Sequence, residues 1–108
     1  MIEKMEFTTH NDGTPNTDLT SLMGYIEVDY KLLVEKFGQP NNWDTYKSDA
    51  EWDIEFTDGT VATIYNYKTG RNYLREDGLD VEDITTWHIG GKSDRALKLV
   101  KLIIESKE

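Results

Sequence analysis

Three groups of residues have types and spacings suited to chemistry. The first is a run of acids on alternate positions, Asp49, Glu51, Asp53 and Glu55, with Asp44 and Asp58 beyond its ends. Side chains of a strand alternate between faces, so these four share one face at about 6.6–6.8 Å intervals. Regular negative charges on a rigid strand can imitate a phosphate backbone and occupy a nucleic-acid groove on another protein. A solvated face of an antiparallel sheet carries a similar pattern. However, four like charges in a row gain no cross-strand pair except Asp49 with Lys68, and structural economy alone would mix the signs.

The second group is Gly90-Gly91-Lys92-Ser93 with Arg95. At a helix N-terminus, backbone N–H groups, a lysine and a hydroxyl could hold an anion. This is not a Walker A loop, because Thr86 stands where the first glycine belongs. A plain strand-to-helix turn capped by Ser93 explains the same residues. Arg71 and Arg75, with Tyr73 between them, are further anion-binding candidates, although Glu76, Asp77, Asp80, Glu82 and Asp83 lie near enough in sequence to pair with them. The third group is His88 with the acids of the same sheet face, a set that can bind a metal or exchange protons. The face is flat and open, so we assign no catalytic residue, no metal and no cofactor, and expect a protein that is not an enzyme.

The acids sit in the stretch that organises the chain, Asp49 to Lys68. Asp58-Gly59 is the dipeptide that a two-residue type I′ turn prefers. That turn would pair Phe56 with Val61 and Asp49 with Lys68. One face would then carry Ala50, Trp52, Ile54, Phe56, Val61, Thr63, Tyr65 and Tyr67 as core. The other would carry the acids with Ala62, Ile64, Asn66 and Lys68, and an exposed Ile64 there leaves room for self-association.

Around this hairpin, Ile2–Phe7 reads as a short strand and residues 8–20 as loop. Ser21–Val28 reads as a strand with Ile26 and Val28 on one face. Asp29 is the expected N-cap of a helix whose Tyr30, Leu33, Val34 and Phe37 fall on one stripe. Gly38 and Pro40 end it. Residues 41–48 read as a polar loop carrying Trp43 and Tyr46, and residues 69–84 as a longer one. Thr85–Gly90 reads as a third strand with Trp87 and Ile89 inward and His88 outward, broken sharply at Gly90-Gly91. Ser93 then caps a last helix whose Ala96, Leu99, Val100 and Ile103 form its apolar stripe, with Lys92, Arg95, Lys98 and Lys101 along a neighbouring face. The expected fold is α+β: a mostly antiparallel sheet, made of a three-strand meander plus one or two N-terminal strands, with two helices on one face.

At 108 residues the chain is sized for a single domain, residues 1–108, with a core of its own. It has no cysteine, so it forms no disulfide or thiolate site. No apolar run is long enough to span a bilayer, and MIEKMEF lacks a signal-peptide layout. These features predict an intracellular protein. The net charge of −9 resides in residues 1–58, where 13 acids face 4 bases, whereas residues 59–108 hold 8 of each. Such a front half repels DNA and RNA and attracts basic proteins.

Two resemblances add expectations. From Asp29 onward the order helix, three strands, helix is similar to double-stranded RNA-binding domains, whose last helix opens with a serine and a lysine cluster. Asp94 interrupts that cluster here, and the front half is acidic. The strings GYIEVDYKLLVEKFGQP, WDIEFTDGTVATIY and WHIGG resemble a family of small, mostly uncharacterised proteins encoded mainly by tailed phages. That resemblance implies a viral accessory role in the cytoplasm of an infected host cell. The leading expectation is an acidic, DNA-mimic-like inhibitor of a host nucleic-acid-binding or defence protein, of the anti-CRISPR kind, without direct nucleic-acid or membrane binding. Its partner surface would be Asp49, Glu51, Asp53, Glu55, Asp58 and Asp44. The alternative is a small-ligand binder that sequesters an anionic nucleotide signal of host defence, through Lys92, Ser93, Arg95, Arg71 and Arg75.

Overall fold

A computed structural model describes residues 7–9, 20–40, 50–66, 78 and 80–105. The elements are β1 (Phe7–Thr9), β2 (Ser21–Glu27), α1 (Tyr30–Phe37), β3 (Glu51–Phe56), β4 (Val61–Tyr65), a 3₁₀ turn (Val81–Asp83), β5 (Thr86–Gly91) and α2 (Arg95–Glu105). The strands form one five-stranded sheet in the order β1-β3-β4-β5-β2, antiparallel throughout. The meander β3-β4-β5 is the middle of the sheet. β1 and β2 flank it on opposite edges. The α+β class and the two helices follow from the apolar periodicities in the sequence.

The register of the central hairpin differs from the expected one. β3 and β4 pair Glu55 with Val61, Ile54 with Ala62 and Trp52 with Ile64. The connection is a three-residue loop, Thr57-Asp58-Gly59. Phe56 N–H donates to Thr60 C=O at 2.8 Å, and Gly59 N–H donates to Phe56 C=O at 2.9 Å. Gly59 has φ +89°, the left-handed residue that closes a three-residue hairpin on a type I turn. The extra loop residue shifts β4 by one position and exchanges its two faces. Val61, Thr63 and Tyr65 therefore join the acids, while Ala62, Ile64 and Asn66 join the core. The gain is apolar: Ile64 is fully buried instead of lying among carboxylates. Self-association through Ile64 is thereby removed. Asn66 is also buried, and its Oδ1 accepts the Ala50 N–H at 3.1 Å.

The core lies between the sheet and the two helices. Trp52 and Trp87 meet edge to face, 5.4 Å between centroids, and Tyr30 of α1 covers both. Both indoles are fully buried, and both N–H groups are satisfied: Trp52 Nε1 donates to Gly38 C=O at 2.8 Å, Trp87 Nε1 to Val28 C=O at 3.1 Å. Phe7 of β1 closes the far end against Phe37 and Phe56. The expected strand over Ile2–Phe7 thus appears as Phe7–Thr9, with residues 2–6 outside the described ones. α1 ends at Gly38, φ +86°.

Three smaller expectations change. Asp29 precedes α1 in an extended conformation, but its carbonyl rather than its side chain accepts the first helical N–H groups. Gly90 and Gly91 are strand residues, not a break, because β5 pairs them with β4 and β2. α2 begins at Arg95, with Ser93 C=O accepting the Ala96 N–H. Within the segment read as a long loop, residues 81–83 form the 3₁₀ turn and Ile84 is buried in the core.

Candidate interaction face of the sheet

Because both helices cover one side of the sheet, the chemistry-bearing residues collect on the other. The registers align Glu51 of β3, Tyr65 of β4, His88 of β5 and Tyr25 of β2 in one row across four strands. Tyr65 stacks on the His88 ring, 5.4 Å between centroids and 26° between planes, and Tyr25 meets its other side edge-on at 4.7 Å. Burial holds the His88 pKa below the ordinary 6.5, so the imidazole in this aromatic row is neutral at pH 7. Folding disfavours the charged form, so this histidine lowers stability as pH falls below 6.5.

Glu51 and Asp53 occupy successive outward positions of β3, both half-buried. Burial, a hydrogen bond with Asp53 and the charge of Asp53, in that order, push the Glu51 pKa up to about 8. At neutral pH Glu51 therefore keeps a proton and donates it towards Asp53. Like charges this close cannot both stay ionised in a partly dry setting. Glu55, the third acid, is exposed. The ladder is thus less negative than a count of its carboxyls implies.

A stability prediction follows. The folded protein holds the Glu51 proton to about pH 8, whereas the reference value is 4.5, so stability falls as pH rises through that window. Glu51→Gln does not titrate. Its melting temperature should match wild type near pH 4.5 and exceed it by roughly 3–5 °C at pH 8, the linkage being discounted for a half-buried group. Thermal melts across that range check the sign.

The remaining sequence candidates divide. Asp44 and Asp49 lie outside the described residues, as do Arg71 and Arg75. Asp58 and Arg95, one read as partner-binding and the other as anion-binding, are bonded to each other: Arg95 Nε donates to Asp58 Oδ2 at 2.6 Å. The Thr60 backbone N–H, the Thr60 hydroxyl and Arg95 together hold the Asp58 pKa down to about 2. This contact ties the hairpin loop to the start of α2 and places a carboxylate on the guanidinium of the supposed anion site. Lys92 and Ser93 are exposed beside it. His88 stands one strand away from the acids, with Tyr65 between, and among the described residues no three histidine or acidic groups gather to hold a metal.

Tyr25 and Leu22 belong to this face and were not singled out from the sequence, and Tyr65, read there as core, lies on it as well. The signal that could have found Tyr65 was the apolar Ala62/Ile64 pair, which demands the inward phase of β4. No protein-family model matches the chain, and no curated protein matches it.

Proposed function

We propose that this protein is a non-enzymatic inhibitor, a phage-type accessory protein that covers a basic, nucleic-acid-handling surface of a host or defence protein with the helix-free face of its sheet. The observation that carries this reading is the placement of Glu51, Asp53 and Glu55 on the face of β3 that neither helix covers. Basic side chains are what such a face attracts. The row Tyr25–His88–Tyr65 beside the acids supplies amphipathic contact area of the kind that anchors protein interfaces. The reading differs from a pure phosphate mimic, because the Glu51–Asp53 pair carries a proton until a cationic partner displaces it. The alternative of a bound anionic nucleotide loses ground, since Arg95 already binds Asp58.

The test is capture of a basic protein from host lysate by wild type, followed by challenge with duplex DNA. The captured protein should be released by DNA and by rising salt. The neutral triple variant Glu51→Gln, Asp53→Asn, Glu55→Gln should lose at least about tenfold in affinity, as fits three charge contacts of modest individual worth. Retention in the triple variant, or indifference to DNA, contradicts the proposal.

A further inference from the structure

We propose that the outer edge of β2 pairs with the same edge of a second copy, giving an antiparallel two-fold dimer. The two edges of the sheet differ. β1 is three residues long, whereas β2 is seven residues long and has no strand on its outer side among the described residues. Proteins usually blunt such an edge with lysine, proline or brevity. β2 (SLMGYIE) has no lysine or proline. Its one irregularity lies between Leu22 and Gly24, leaving Gly24–Glu27 as a regular ladder.

The edge is also apolar where the protein is otherwise acidic. Leu22 and Tyr25, 45% and 55% exposed, are two of the three exposed large apolar residues among those described. They lie on the helix-free face of the sheet, beside Gly90 and His88.

Charge selects a second copy in antiparallel orientation as the occupant. Ser21 at one end of β2 pairs with Gly91, so the exposed Lys92 follows directly beyond that end. Exposed Glu27 and Asp29 stand at the other end. An antiparallel copy brings its Glu27–Asp29 end to the end of the edge behind which Lys92 stands one strand in, so opposite charges face across β2 at about 9–10 Å, and the two-fold repeats the arrangement. Parallel pairing would set acidic end against acidic end. The polarity along this one edge thus offsets locally the repulsion expected between chains of net charge −9.

Sedimentation equilibrium of the purified full chain over a wide concentration range tests the inference without any partner, so its failure is separate from failure of the inhibitor reading. Wild type should reach twice the chain mass in the micromolar range. Tyr25→Lys should raise the dissociation constant at least about tenfold. Glu27→Lys and Lys92→Glu should each weaken the dimer by about three- to tenfold. The double variant Glu27→Lys/Lys92→Glu, which reverses the pair, should regain wild-type affinity within about threefold. The charge variants are at exposed positions, and circular dichroism is the check that each folds. A monomer at every concentration, or a double variant weaker than either single one, overturns the proposal.

Discussion

Trp52→Ala is expected to lower the unfolding free energy by about 3–5 kcal/mol, the usual cost of emptying a large buried site. The indole is fully enclosed, meets Trp87 at 5.4 Å and Tyr30 at 5.8 Å, and donates to Gly38 C=O at 2.8 Å. Truncation removes the packing and leaves the carbonyl that ends α1 without this donor. The surrounding residues come from three elements held by the sheet, so collapse into the space is limited. Urea denaturation measures the loss. Tyr65→Ala is the control for the hairpin register. Had β4 kept the two-residue turn, Tyr65 would be core beside Trp52 and comparably costly. In the observed register it is half-buried on the outer face, so its loss should be clearly smaller.

Gly91→Ala should cost about 1–3 kcal/mol, the range for forcing an atom into a filled site. A Cβ at this position would collide with the Ala96 side chain and approach the carbonyl oxygens of Ser93 and Val61 at 3.3 Å. Two of these neighbours are backbone, so relief requires α2 to move away from the sheet. Gly24→Ala is the contrast. The nearest atoms its Cβ would meet are those at the end of the Leu97 side chain, 2.7 Å from Cδ2, which a change of rotamer relieves. Gly91 therefore permits close seating of α2, and the turn after it serves packing. Melting temperatures of the two variants separate these cases.

The elements were legible wherever one residue period dominated. Trp52, Ile54 and Phe56 alternating with three acids gave β3, and Tyr30, Leu33, Val34 and Phe37 gave α1. Trp87 and Ile89 placed His88 outward. The phase of β4 was not legible from the turn, because Asp58-Gly59 suits both a two-residue and a three-residue loop. The choice is made by burial of Ala62 and Ile64 against the helices. The Asp58–Arg95 bond was also hidden, since it joins residues 37 apart whose meeting depends on how α2 crosses the sheet. The proton that Glu51 keeps needed burial as well as spacing, and spacing alone was visible. The partner proposed for the face was not legible: charge gives its sign and nothing in the residues gives its shape.

The claim that this sheet face recognises a protein is tested most directly by native mass spectrometry of the tagged chain after incubation with lysate of the candidate host. A gain of tens of kilodaltons that disappears with the Glu51/Asp53/Glu55 triple variant is the expected result. A gain of only hundreds of daltons, unchanged in that variant, would contradict the account and move the binding site to a small ligand elsewhere on the molecule.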